Sequence, residues 1–500
     1  MYVGLDVGTS SVKAAAYDDR GKELASCSRP FQLLTDEDGT KELDARAVLD
    51  SSLECLLYIN TRADAIKTIS VSSLGEAIVF LDDGEKCLSN IIVGTDVRGQ
   101  KELRWLAERI SPEKLIKITG VNLSTIYSVT KILWFKRNQP RIYHKAARIC
   151  TVQDYVIGKL SGNYVIDYSM ASRTMLFDAA NSNWSDELLS LTGIDKKLLA
   201  LPVLAGTSAG RVKPDVAEKI RASPAVTVLA GTHDHICNAL GAGVMEKGWC
   251  SDTAGTTEGL TAIIGHTEIK PAIIRENQIS FEPFVLNRTF NTVAWHNTSG
   301  ALYRWFVENI GGRHEPGINP YQIIEAKMPS KPSSLLVLPH FSGAATPYMD
   351  PRSRGAIIGL SVATKPEHIF QALVESTNHE LLMILECLTK SDILVQNIVA
   401  TGAALSPPVL KIKADILGLP IKTVCCKQTG TLGGAVIGAV SSGAYRTYNE
   451  AILAMVRFDK EYFPDEAVHA LYLEKHAIYT RLYRRLRSVH RELFAYNAKQ

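Results

Sequence analysis

The 500-residue sequence contains no charge-free apolar run approaching the roughly 18 residues of a membrane-spanning helix. Its opening, "YVGLDVG", carries Asp6 inside the first apolar run and has no basic leader. No secretion signal is read there, and the cytoplasm is the expected compartment. Nine cysteines are scattered without a CxxC pair or a paired zinc pattern, which leaves reduced, mostly buried thiols as the reading. The net charge is only +3, from 55 basic and 52 acidic side chains. Nothing electrostatic therefore recommends nucleic acid or a membrane as partner, and a small-molecule ligand is expected. A GxxxxGK[ST] loop is missing, as is any HRD or DFG set, which disfavours P-loop and protein-kinase mechanisms.

What is present is an ordinary globular composition, 46% apolar and 21% charged. The chain is too long for a single hydrophobic core, and two domains of about 250 residues with a cleft between them are expected. The first 32 residues read as a three-stranded meander: "YVGLDV", the small polar turn 8–11, "VKAAAYD", the turn "DDRGK", then "ELASCSRPFQ". Asp44 is placed to cap a helix in which Val48, Leu49, Leu53, Leu56 and Leu57 recur at helical spacing. The strand "TISVSS" follows, and strands leading into helices in this order give an α/β layered fold. Halfway along, "WCSDTAGTTEGLTAII" repeats the strand, loop and strand of the opening, with Asp252 ahead of its loop as Asp6 is ahead of the first. This internal echo predicts two related domains with hydroxyl-rich hairpins facing across one cleft. Near the end, "YTRLYRRLRSVHRELF" places Tyr479, Leu482, Leu486 and Val489 on an approximate apolar stripe, which predicts a packing helix with a solvated arginine face.

Tight Gly-Thr-Ser turns suit phosphates, because they offer many donors and no bulky side chain near the backbone. "DVGTSS" at 6–11 is such a turn, and a phosphate site made from two opposed hairpins is the actin-type solution. From here the resemblance becomes specific. "DVGTSSVKAAAYD" resembles the phosphate hairpin of the FGGY family of carbohydrate kinases, and "SVTKILWFKRN", with Lys131 and Trp134, resembles that family's first signature. "GAIIGLSVATKPEHIFQALVES", from Gly355 and Gly359 through His368 to Glu375, resembles its second. "DYSMASRTMLFD", "GTHDHICNALGAG" and "TPYMDPRSRGA" are similar to family segments in the same order.

The resemblance implies an α/β fold of two actin-like (ribonuclease H-like) domains with an interdomain catalytic cleft. It implies a sugar-binding domain over 1–246, a nucleotide-binding domain over 247–445 and a C-terminal helical tail over 446–500 packed on the core. It also implies ATP and Mg²⁺ as cofactors, and a homodimer is the family's common habit. Asp234 falls where the family places its catalytic base, and the same aspartate also suits the cap of the helix that follows. Asp6 and Asp234 would serve Mg²⁺, directly or through water. Gly8, Thr9, Ser10, Ser11 and Lys13 would surround the terminal phosphates, with Gly255, Thr256 and Thr257 across the cleft. Gly300 and Arg304 would lie near the nucleotide, and Gly402, Ala403 and Ala404 near the purine, while Pro407 stands where glycerol kinases usually carry Asn. Glu76, Asp96, Arg98 and His235 would join Asp234 in the acceptor pocket. His233 and His235 lack a third ligand at zinc spacing. Gly433 and Gly434 read as helix-packing positions.

The expected activity is ATP-dependent phosphorylation of a small sugar or polyol, a ketopentose, ketohexose or related acceptor. Leu74, Gly75 and Glu76 replace the Met-His pair of xylulose kinases and the Arg-Glu pair of glycerol kinases, Ile126 aligns with a sugar-facing Tyr of glycerol kinases, and Gly94 replaces a pocket Trp. The pocket is therefore expected to be roomier. An actin-type ATPase and a catalytically silent sugar-binding regulator are the competing readings.

Overall fold

The structure, a computed structural model, describes residues 1–311, 317 and 319–497. The opening meander forms as β1 (Tyr2–Val7), β2 (Ser11–Tyr17) and β3 (Glu23–Pro30). β1 runs antiparallel to β2 and parallel to Thr68–Ser73, at the centre of a six-stranded sheet completed by Thr227–His233 and Ser208–Arg211. The helix α1 (Ala45–Asn60) packs on β2 and β3. Asp44 caps it, accepting from the amides of Arg46 and Ala47. Apart from Asp6, every residue of β1 is buried, as expected of a central strand with helices on both faces.

The second sheet has seven strands and repeats the arrangement. Trp249–Ala254 runs antiparallel to Glu258–Gly265 and parallel to Asn397–Thr401. The echo in the sequence is thus an echo in space. Asp6 lies opposite Lys13 and Ser72, while Asp252 lies opposite Leu260 and Ala400.

Two helices occupy the middle of the molecule, Asp234–Gly241 and Thr429–Ser441, and they pack against each other. The later helix also lies on β1. This approach requires glycine: a Cβ on Gly433 would fall 1.9 Å from the carbonyl oxygen of Cys237.

The chain beyond 445 is more than a helical tail. Phe458–Tyr462 forms the seventh strand of the second sheet beside Ile421–Val424, and Glu466–Tyr479 packs on Pro407–Leu417. "FDKEY" is polar and largely exposed at a sheet edge, so it carries none of the apolar alternation that marks a strand in sequence. The tail stripe is broken as well: Tyr479 ends one helix, Leu482 begins the next, and Val489 is 54% exposed. None of the nine cysteines is paired, and among the described residues no helix is long and apolar enough to cross a membrane.

Candidate functional site

The first hairpin turn joins β1 to β2, where the Gly8 amide donates to the Ser11 carbonyl at 3.0 Å. The second is closed the same way, Gly255 to Thr257 at 2.9 Å. The tips, Thr9 with Ser10 and Thr256 with Thr257, are exposed. Lys13 is also exposed, opposite Asp6 in the ladder.

Three segments far apart in sequence meet at the second hairpin. The amides of Ser299, Gly300 and Ala301 donate to the carbonyls of Thr256 and Gly255, so the helix Gly300–Asn309 begins on that turn. The Ala404 amide donates to the Ala254 carbonyl at 3.2 Å. Together they wall a cavity of about 710 Å³ whose lining includes Gly255, Thr256, Gly300, Arg304, Ala403 and Ala404. That volume is within the usual range for small-molecule sites. Thr257 and Gly402 adjoin it without lining it. Pro407, at the first turn of Pro407–Leu417, is also part of the wall.

Gly402 is what allows this strand-to-helix turn to press on the hairpin. Its φ is +114°, and a Cβ there would sit 2.1 Å from the Ala254 carbonyl oxygen. A Gly402→Ala variant is expected to push the 402–404 turn off the hairpin and to weaken binding of a small molecule in this cavity about tenfold or more, which calorimetric titration of both forms with adenine nucleotides would check.

Beneath the hairpin is a buried charge cluster that sequence reasoning did not foresee. The Lys413 ammonium, on the helix Pro407–Leu417, ion-pairs with both Asp252 and Glu258. His296 Nε2 lies 3.2 Å from the other oxygen of Glu258. Burial alone would lower the Lys413 ammonium's pKa, but the two carboxylates reverse this and hold it above its ordinary value. Asp252 therefore differs from Asp6, which among the described residues has no lysine bound to its carboxylate in this way. It belongs to a cluster that pins the second hairpin to the helix behind it.

On the other side of the cleft, Asp6 accepts from Ser72 Oγ at 3.1 Å. Burial, and next the charge of Asp234, raise its pKa to about 6. Asp234 begins one of the two central helices, immediately after the strand Thr227–His233. Its Oδ1 accepts from the His235 amide at 2.7 Å and lies 3.1 Å from His233 Nε2. Burial raises it too, to about 6. Both histidines are pushed the other way, chiefly by burial and then by Arg173, with His235 at about 4, so both rings are neutral near pH 7. His235 faces the second domain, where a Cβ on Gly259 would be 3.3 Å from its Cε1.

The charges beside Asp234 are organised by Arg173, a residue that sequence reasoning passed over inside "DYSMASRTMLFD". Its guanidinium ion-pairs with Glu76 and donates to Glu282 at 2.7 Å. Gly75 marks where these groups converge on Asp234: a Cβ there would be 3.0 Å from His233 Nε2 and 3.2 Å from Arg173 Nε.

Asp96 and Arg98 are placed differently. Arg98 pairs with Asp96 and, at 2.7 Å, with Glu42, and it stacks over Trp134, while Asp96 also accepts from the Lys41 amide. Their contacts are to one another and to the neighbouring sheet, not to Glu76 or Asp234. The buried Lys131 holds the same loops, donating to the carbonyls of Gly94 and Thr125. Glu375, from the second signature, accepts from the Ser333 amide at 2.8 Å and from Tyr472 at 3.0 Å, which ties the long helix Pro366–Lys390 to the tail.

With this geometry in view, the comparisons with known proteins agree. Residues 1–241 match the model of the FGGY family of carbohydrate kinases, N-terminal domain, and residues 290–442 match that of its C-terminal domain. The chain is 25% identical to a xylulose kinase of Lactococcus lactis over 99% of both chains. It is also 25% identical to a gluconokinase of Bacillus subtilis, over 93% of this chain and 92% of that one. A crystal structure of a ligand-bound xylulose kinase from Lactobacillus acidophilus superposes with a TM-score of 0.90 at 23% identity, covering 98% of this chain and 99% of the other.

Proposed function

The chain belongs to the FGGY family of carbohydrate kinases, has the actin-like α/β fold and phosphorylates a sugar or polyol; from that premise we propose that ATP is the donor and Asp234 the general base. The observation that carries this reading is the placement of two half-buried carboxylates, Asp6 on the strand entering the first hairpin and Asp234 at the head of a central helix, near enough that the charge of Asp234 raises Asp6. The 710 Å³ cavity behind the second hairpin suits the nucleoside, and the hydroxyl-rich tips at 8–11 and 255–257 suit its phosphates. The division of labour between residues 1–246 and 247–445 is part of the same proposal.

Asp234 would accept the acceptor's hydroxyl proton as that oxygen bonds to the γ-phosphorus and the oxygen bridging to ADP departs. The proton is labile only as the new bond forms, so aim matters more than basicity. The His235 amide at Oδ1, with His233 beside it, fixes that aim.

Asp6 and Asp234 also fit magnesium, which commonly uses one or two carboxylates with phosphate oxygens. Two carboxylates leave the other coordination positions to phosphate oxygens and water, so the ion would arrive with the nucleotide. When bound it supplies neutralisation of phosphate charge.

A base with a pKa of about 6 predicts that kcat/KM falls roughly tenfold per pH unit below pH 6 and is flat above it until another group titrates. A pH profile from 4.5 to 8.5, measured at saturating nucleotide, checks this. The function itself is tested by ADP release against a panel of sugars, polyols and aldonic acids. Sugar-dependent turnover is the expected result, whereas hydrolysis indifferent to sugar would indicate an ATPase.

A further inference from the structure

Beside Asp234 lies a buried charge cluster that joins the two domains. Arg173, Glu76 and Glu282 form one ion bridge, with side chains 6%, 8% and 0% exposed. Glu76 belongs to the first domain, whereas Glu282 belongs to a strand of the second sheet. Glu282 also accepts from Ser280 Oγ at 2.7 Å. The Tyr127 ring lies under the guanidinium, 5.4 Å from centroid to Cζ.

Several buried atoms here have no partner among the described residues: Arg173 Nε, Glu282 Oε2, His233 Nδ1 and His235 Nδ1. Buried polar atoms left unpaired cost free energy, so a cluster of them points to a ligand that satisfies them. Glu76 Oε2 in turn faces Gly94, where a Cβ would be only 3.2 Å away.

The formal charge of the group is negative: Glu76, Glu282 and Asp234 against Arg173 alone. Among the described residues no other uncommitted cation is paired with these carboxylates. Lys131 is committed to the carbonyls of Gly94 and Thr125, and Arg98 to Asp96 and Glu42. Both terminal nitrogens of Arg173 are already engaged by carboxylates.

We propose that the Glu76–Arg173–Glu282 bridge is the acceptor-selecting element, which admits a neutral polyhydroxyl acceptor and turns away an aldonate or uronate. Hydroxyl groups donate to the free carboxylate oxygens, and a sugar oxygen accepts from Arg173 Nε–H. An acceptor carboxylate finds no uncommitted cation and two fixed carboxylates, and like charges juxtaposed in a buried site are strongly disfavoured. Glu282 makes the second domain part of the selection, so discrimination is complete only with both domains in contact. The inference rests on the kinase reading above and on the pocket beside Asp234 being the acceptor site.

The test compares kcat/KM across neutral ketoses, aldoses and alditols of three to seven carbons and the aldonates and uronates of the same lengths. The best neutral acceptor is expected to exceed the best anionic one by about 100-fold or more. In Glu282→Gln, which keeps the shape and removes one charge, that ratio is expected to shrink at least tenfold while KM for ATP stays within about twofold. A purely structural role would lower both classes together and leave the ratio unmoved, and that result would overturn the proposal. An aldonate or uronate as best acceptor of the unaltered protein would overturn it as well. Should Glu282→Gln not fold, the unaltered protein's ratio and that of Glu76→Gln decide. Nucleotide hydrolysis with no acceptor phosphorylated would instead sink the kinase reading itself, a separate failure from the wrong acceptor charge.

Discussion

Replacing Asp234 with Asn is expected to lower kcat by about 10²–10⁴ while leaving nucleotide affinity nearly unchanged, and at the same time to raise the melting temperature. The activity loss follows from removing the proton acceptor while keeping the shape. The stability gain follows from burial. Asp234 holds its proton up to about pH 6 in the folded protein, against 3.8 for a free side chain. Its ionisation above pH 6 therefore penalises the folded state, and the penalty disappears below about pH 4, where the group is protonated in both states. Asn removes the penalty, so at pH 7–8 the variant should melt about 1–4 °C higher, with the difference vanishing towards pH 4. Single-turnover kinetics and melting curves at both pH values check the two halves. Unchanged phosphotransfer would remove Asp234 from the mechanism, and a lower melting temperature at pH 8 would contradict the electrostatic account.

The second large effect is expected at Lys413. Lys413→Met removes the lysine ammonium from a cluster containing Asp252 and Glu258, both fully or almost fully buried. Breaking a buried ion pair from one side costs about 3–5 kcal/mol, because the remaining charges lose their compensation. For a protein of 500 residues the melting temperature should fall by about 3–5 °C. Nucleotide binding should weaken too, since Asp252 and Glu258 flank the 255–257 turn. Combining Lys413→Met with Asp252→Asn should recover part of the loss, because one of the stranded charges is then gone. Calorimetry of the single and double variants would measure the coupling, and strictly additive losses would show that the cluster does not act as a unit.

The parts of the site legible in the sequence were those whose chemistry is local. A Gly-Thr-Ser turn after an apolar strand shows its hairpin within six residues, and "GTHDH" shows an aspartate at a strand end opening a helix. The repeated strand, loop and strand pattern revealed the two related sheets for the same reason. Partnerships set by tertiary distance were not legible. Arg173 and Glu282 are 109 residues apart, and Lys413 and Asp252 are 161 apart, and nothing in either segment's spacing announces the other. The echo of Asp6 in Asp252 marked the repeated strands but gave no sign of the lysine that pairs with Asp252, which only the folded chain supplies. Asp96 and Arg98 were expected in the acceptor pocket from the family resemblance, and their contacts with Glu42 and Lys41 are likewise set by tertiary distance. The strand Phe458–Tyr462 was hidden because an exposed edge needs no apolar pattern.

The central claim is that the two hairpins close on one nucleotide while Asp234 aims an acceptor oxygen at its last phosphorus. A crystal structure with a non-hydrolysable ATP analogue, Mg²⁺ and a turned-over sugar tests it most directly. The predicted result places the terminal phosphates between residues 8–11 and 255–257, the nucleoside in the cavity beside Ala403 and Ala404, and an Asp234 oxygen within hydrogen-bonding distance of the acceptor hydroxyl. A nucleotide bound away from both turns, or an acceptor hydroxyl out of reach of Asp234, would contradict it.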